Sequence, residues 1–308
     1  VSDASQQTAA KPAANAYLLL VFTTLCWGAN AVAAKMSVGE LSPMLLTLLR
    51  WLGVVILLAI FARGRIMREW PVLRAHWGRI FLMGALGFSV FNTLMYIAAE
   101  HTQAVNIGIL QGSIPIFVLL GAFAAYRTPV GVMQSVGVLV TMVGVAIVAS
   151  EGALENLATL TLNHGDVLIV FACVLYAGYT VALRNRPPLS GFVMFAGLAA
   201  SAFVASIPIA GYEYLAGDFL APSPKAWAIV AFVVLFPSFL AQVFFLLAVD
   251  QVGPGRAGVF VNLVPIFAAV LSVAILDEHF ALYHGVALAL VLGGIAIAER
   301  FKRMGGSS

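Results

Sequence analysis

The chain has 308 residues, 62% hydrophobic and only 9% charged, with a formal net charge of +3 at pH 7. A water-soluble surface needs roughly a quarter of its residues charged, so a soluble domain is excluded. The positive balance sits between apolar runs, where it bears on membrane topology; nucleic acid is not an expected partner, whereas a lipid bilayer is.

In chain order, residues 1–15 form a polar tail carrying one charge beyond Asp3, at Lys11, with no short apolar core before a cleavage site, which reads against a removed signal peptide. Ten apolar spans follow, near 16–37, 43–62, 79–99, 105–125, 130–149, 166–184, 191–211, 226–248, 257–276 and 281–298. At 1.5 Å of rise per residue each is long enough to cross about 30 Å of hydrocarbon as a helix. The expected organisation is a five-helix unit at 16–149, a linker at 150–165, a second five-helix unit at 166–299 and a tail at 300–308. Connections are short, apart from those near 63–78, 150–165 and 212–225. Cys26 and Cys173 fall inside apolar runs and read as buried small thiols.

Residues 92–117 align without a gap on residues 242–267 at an offset of 150. Ala98 meets Ala248, Gly108 meets Gly258, and Pro115–Ile116–Phe117 meets Pro265–Ile266–Phe267. Asn92 falls on Gln242 and Glu100 on Asp250; Gly144 and Ile147 match Gly294 and Ile297 at the same offset. In the first spans of the halves, Trp27–Gly28 with Lys35 eight residues after Trp27 answers Tyr176–Ala177 with Arg184 eight after Tyr176. Because each half has an odd number of spans, the second must enter the membrane upside down. The expected fold is all-α: ten transmembrane helices as two inverted five-helix repeats around a central cavity.

Thirteen of the sixteen Lys and Arg residues belong to the face that carries the termini, from Lys11 through Arg63, Arg79 and Arg184 to Arg303. Lys35 and Lys225 belong to the other face, and Arg50 lies within the second span near it. The positive-inside rule then predicts an integral plasma (inner) membrane protein with both termini cytoplasmic.

LCWGANAVAAK at 25–35, Arg50 in LLTLLRWLG, the paired proline spans and the Asp277–Glu278–His279 turn together resemble the drug/metabolite transporter superfamily. The similarity is to its ten-helix EamA type, which includes YddG-type amino-acid exporters, and covers about 16–299. The resemblance implies a carrier and no cofactor. One departure concerns the acidic residue that often follows the fourth helix in this family. Here it stands only in the second half, as Glu278, where the first half has Thr128.

Polar side chains deep in a span need a partner or a wet cavity. Thr23, Trp27 and Asn30 share one face of the first span, and Ala172, Tyr176 and Tyr179 share the matching face of the sixth. Asn92 and Tyr96 on the third span face the cavity with Gln242 and Phe245 on the eighth; Gln111 and Asn262 complete the ring. The competing view makes these amides inter-helix bonds and the aromatics packing or belt residues. Pro115 and Pro265 withdraw an N–H from the carbonyls of Gln111 and Val261, predicting a kink or hinge. Gly108, Gly112 and Gly258 are expected at helix–helix contacts. Arg50 could hold a substrate carboxylate, snorkel outward, cap helix-end carbonyls or pair with Glu100, and the sequence leaves these open.

With acidic residues and histidines only at span ends, a deep proton relay is not expected, and neither is a catalytic cluster or a metal site. The expected partner is a small-molecule substrate, amino acids first, moved by export or facilitated diffusion. An exporter of cationic drugs or of another metabolite class is the alternative, and an intramembrane enzyme a remote one. A monomer is compatible with the sequence.

Overall fold

The computed structural model describes residues 13–128, 130–153 and 163–304. Most of the predicted N-terminal tail, much of the 150–165 linker and the last four residues lie outside the described residues. All regular structure among the described residues is helical, and ten helical stretches are long and apolar enough to cross a membrane. Span 1 is α1 (Ala13–Ser37) and span 2 is α2 (Pro43–Phe61). Span 3 joins α4 (Trp77–Gly84) to α5 (Phe91–His101) through a π-helical turn at Ala85–Val90. Span 4 is broken into α6 (Ala104–Gln111) and α7 (Ile114–Tyr126); span 5 is α8 (Val132–Ala149).

The second half repeats this plan. Span 6 is α9 (His164–Ala182) and span 7 is α10 (Gly191–Ala216). Span 8 joins α11 (Pro224–Val233) to α12 (Ala241–Val252) through a π-helical turn at Val234–Leu240. Span 9 is broken into α13 (Pro254–Val261) and α14 (Val264–Leu276), and span 10 is α15 (Leu282–Met304). Both π turns and both helix breaks recur at the offset of 150. So do two left-handed residues, Arg127 (φ 52°) and Asp277 (φ 53°), which end α7 and α14.

Inversion is visible where α8 meets α15. A Cβ on Gly137 would press on Gly294 and Ala298, whereas one on Gly144 would press on Ala287 and Val291. Rising numbers meet falling ones, so the two helices are antiparallel. Gly137 and Ala287 are repeat mates, as are Gly144 and Gly294, so the contact is reciprocal about a pseudo-twofold axis. Small residues allow this close approach, which in lipid replaces the hydrophobic drive between helices. Span 2 packs on span 7, spans 8 and 9 on span 1, and their mates, spans 3 and 4, on span 6.

One predicted connection and part of the predicted C-terminal tail turn out helical. The stretch expected as a loop near 63–78 contains α3 (Arg63–Ala75). Ile66, Trp70 and Leu73 recur there at helical spacing and line a cavity of about 190 Å³ with Val55, Leu58 and Gly197, while Arg63, Arg65 and Arg68 stay exposed. This is the pattern of a helix lying along the membrane surface, which a search for spans passes over. Similarly α15 runs to Met304, past the predicted start of the tail at 300.

Candidate functional site

The face shared by the ends of α1, α5, α8 and α10 and the starts of α2, α6, α9 and α15 is the far face; the opposite one, carrying the termini, is the terminal face. About 10 Å below the far face, seven residues into α2, the Arg50 side chain is buried. Its Nη1 donates to Asn30 Oδ1 (3.2 Å) and to the Tyr96 hydroxyl (2.7 Å). Met95 is the acceptor beside it: its Sδ receives Asn30 Nδ2 at 3.5 Å and Gln111 Nε2 at 3.2 Å. Three predicted residues, Asn30, Tyr96 and Gln111, thus come from three spans to one polar knot. Arg50, left open in the sequence, and Met95, which a sequence presents as merely apolar, hold it together. The pairing of Arg50 with Glu100 does not form; Glu100 is exposed at the end of α5.

Two aromatic groups, built around the repeat mates Trp27 and Tyr176, lie on the terminal-face side of the knot by helix depth. Trp27 lies 5.3 Å from Phe245, centroid to centroid, and its indole N–H donates to the Pro237 carbonyl in the second π turn (3.1 Å). On the other half Tyr176 and Tyr179 are 5.4 Å apart, edge to face. Phe91 lies 5.0 Å from Tyr176, and Phe88, in the first π turn, 5.2 Å from Tyr179. The π turns therefore present these contacts, in keeping with their frequent place at functional sites. No signal in the sequence marked the first of them; Pro237 hinted at the second.

Other predicted residues are placed differently from the expectation. Asn92 donates to Phe88 O of its own span (2.6 Å), four residues back at the end of the π turn, so one of its amide hydrogens is already engaged. Gln242 and Asn262 are half-buried and make no side-chain hydrogen bond to a described residue. Pro115 and Pro265 do not kink a continuous helix. Each follows a break and sits in the first turn of α7 or α14, where a missing N–H leaves no intrahelical bond unmade. Gly108 and Gly112 are at tight contacts, with Ala268 and with Val291, but nothing lies within 4 Å of a Cβ placed on Gly258. Packing at Gly258 is thus corrected: α6 and its mate α13 have different surroundings. Neither described cavity is lined by the predicted ring, since both lie beside α2 and α3.

That difference extends over the molecule. Every residue of Ala104–Leu110 in α6 is buried, whereas in α13 Arg256 and Val259 are exposed. The far face is closed by several bonds. Glu278 caps α6, its carboxylate accepting from Ala104 N (2.8 Å) and Val105 N (2.9 Å). Asp166, fully buried, accepts from Thr102 Oγ1 (2.5 Å) and Asn106 Nδ2 (3.2 Å), and Asn106 Oδ1 meets His284 Nε2 (3.0 Å). The Ala281 N–H donates to His284 Nδ1, so Nε2 carries the ring proton and donates to Asn106. Lys35 Nζ caps α5 at Ala99 O and Thr102 O, both 2.8 Å, and Glu213 accepts from Met44 N and Leu45 N at the start of α2. Asn106, Asp166, Glu213 and His284 all escaped the sequence reading, because residues near span ends look like ordinary loop polarity.

On the terminal face, Arg79 reaches Ala182 O, Arg184 reaches Thr128 and Ser190 N reaches Glu69, which ties spans 3, 4, 6 and 7 and α3. The start of α1, the end of α12 and α13 gather instead around Ala16, Leu20, Ala248 and Ala257, a small apolar cluster separate from the main core. Among the described residues, the far face is therefore tied across both halves, whereas the terminal face falls into two groups.

This chain matches the EamA-like transporter family twice, over residues 14–150 and 163–299. YetK of Bacillus subtilis (strain 168), described as an uncharacterized transporter, is 26% identical over 292 residues, covering 94% of this chain and 88% of its own. YyaM of the same organism, likewise described, is 25% identical over 303 residues, covering 94% and 95%. YedA of Escherichia coli (strain K12), described as an uncharacterized inner membrane transporter, is 21% identical over 285 residues, covering 90% and 88%. A solved crystal structure shares the fold, with a TM-score of 0.63 at 19% identity over 94% of this chain and 98% of that one. Two family matches, one on each five-helix half, span most of the sequence: the chain is an integral membrane protein and belongs to the EamA-like transporter family.

Proposed function

We propose that this transporter is an alternating-access carrier for small, partly apolar, net-neutral metabolites, amino acids first. It works by export or facilitated diffusion in the plasma (inner) membrane, with both termini cytoplasmic. The observation that carries the reading is the pairing of two aromatic groups, Trp27 with Phe245 and Tyr176 with Tyr179, on the terminal-face side of the Asn30–Arg50–Tyr96–Gln111 knot. Aromatic faces suit an apolar side chain or an ammonium group, and the amide and guanidinium end suits a carboxylate. On this reading the terminal face is the cytoplasmic one. Halves of one design that differ in closure are what an exchange of conformations requires. The reading assigns no catalytic step to the chain.

Aromatic faces also favour a quaternary-cation exporter. A buried Arg50 with no anion beside it repels such a cargo, so that reading stands second. Purified protein in liposomes, offered labelled amino acids, sugars and cationic drugs with and without a pH gradient, tests both. Saturable uptake of neutral amino acids that needs no gradient is expected; uptake confined to cationic drugs would replace the reading.

A further inference from the structure

A guanidinium is permanently charged, and charges inside a membrane protein are ordinarily paired or face a wet path. Arg50 is 6% exposed, yet no described carboxylate lies within ion-pairing distance; Lys225–Glu40 is the ion pair found among the described residues. Both of its hydrogen bonds leave from Nη1, toward the neutral groups of Asn30 and Tyr96. Nε is buried with no partner, and so is Nε1 of the neighbouring Trp51, over whose ring the guanidinium carbon stands at 5.3 Å. Asn30 and Tyr96 thus fix the plane of the guanidinium from one end and leave its Nε edge unused.

We infer that this Nε edge is a carboxylate subsite: Arg50 binds the carboxylate of the transported solute at the closed end of its path. A planar fork of N–H donors matches the two oxygens of a carboxylate, and one positive charge balances one negative charge. A phosphate ester carries close to two charges and would need a second buried cation. Among the described residues Lys35, the nearest basic candidate in the spans by sequence depth, is engaged with Ala99 O and Thr102 O. A halide could neutralise Arg50 but could not use the fork. The inference rests on the carrier reading for its location, though not for its chemistry.

The test is equilibrium binding to purified wild-type protein, followed by tryptophan fluorescence. The ligands are phenylalanine, its methyl ester, phenethylamine, 3-phenylpropionate and sodium chloride. The expected order places phenylalanine and 3-phenylpropionate at least about thirtyfold tighter than the ester and the amine, the loss that follows when a buried charge forfeits its partner. Arg50→Gln should abolish that preference, and Arg50→Lys should keep part of it. Equal affinity for acid and ester, tighter binding of chloride than of either acid, no binding of any acid at millimolar concentration, or a preference that survives in Arg50→Gln would each overturn the subsite. Because the wild-type comparison needs no variant, a misfolded Arg50→Gln leaves the test intact. If 3-phenylpropionate binds but no amino acid does, the subsite stands and the amino-acid reading fails.

Discussion

Gly108 seats directly against Ala268, so closely that a methyl group on Gly108 would overlap the Ala268 Cβ. Its repeat mate Gly258 meets nothing, although the mate of Ala268 is a Val118 present to receive it. The same local design is thus closed once and open once within one chain.

Gly108→Ala therefore has to separate α6 from α14. It should lower stability by about 1–3 kcal/mol, the usual cost of overpacking, and raise labelling of the far face by water-soluble reagents. Thermal melting in detergent and thiol labelling of a cysteine placed in α6 would record both effects.

Gly258→Ala should behave in the opposite way. With open space around that position inside α13, stability should hold or rise by up to about 1 kcal/mol, the helix-propensity gain of alanine over glycine. Transport should nevertheless fall, because the state that closes the terminal face needs Gly258 to do what Gly108 does now. Uptake and melting measured on one preparation separate the two effects.

Glu278 is the clearest latch. Its carboxylate takes two N–H groups at the start of α6, where the helix dipole adds to the attraction. Its mate Thr128 has no charge, and the mate of Ala104 is Pro254, which has no N–H to offer. The latch can form at the far face alone. Glu278→Ala should cost about 1.5–3 kcal/mol, as for a hydrogen bond to a charged group, and bias the protein toward opening there. Thr128→Glu should produce no equivalent stabilisation.

Beside it, Asn106→Ala removes the group that links Asp166 to His284 and leaves both buried. A loss of about 1–3 kcal/mol is expected, as for a buried polar group deprived of its partner. In Asn106→Asp a second carboxylate would face Asp166, so its melting temperature should fall further as pH rises.

Between the spans, Glu40 joins the loop after α1 to the start of α11 through Ser223 and Lys225. The Ser223 bond first, then Lys225, holds its carboxyl below the usual carboxylate range. A lowered native value means the stabilisation is present above the unfolded value of about 4.3 and is lost as pH falls through the native one. The difference in melting between wild type and Glu40→Gln should be constant near neutrality and vanish in strong acid.

Much of the architecture was legible because hydrophobic length and an odd span count leave few alternatives. Ten helices, inversion and the offset of 150 follow from runs of residues and from matches such as Pro115 with Pro265. The finer geometry was hidden for identifiable reasons. A proline announces a missing N–H but does not say whether the helix bends or breaks, and both spans break. Glycine spacing marks Gly258 as a packing residue without saying in which of two conformations it packs. Asn92 reads as a cavity amide, but its side chain bends back to the Phe88 carbonyl four residues earlier, which no spacing in the sequence announces. Arg50 was visible as a charge in a span, but its partners Asn30 and Tyr96 lie 20 and 46 positions away.

The most direct test of the alternating exchange is a cross-link between Gly258→Cys and Val118→Cys, with Cys26 and Cys173 replaced. These positions mirror Gly108 and Ala268, and a disulfide needs Cβ atoms about 3.5–4.5 Å apart. At rest the pair should stay reduced, since a Cβ on Gly258 has no neighbour within 4 Å. Gly258→Cys slows closure as Gly258→Ala does, but each closure brings the pair together, so during turnover it should oxidise and halt the remaining transport, with that activity restored by reductant. Continued transport under oxidising conditions with the pair never linking, or with the linked protein fully active, would contradict the account.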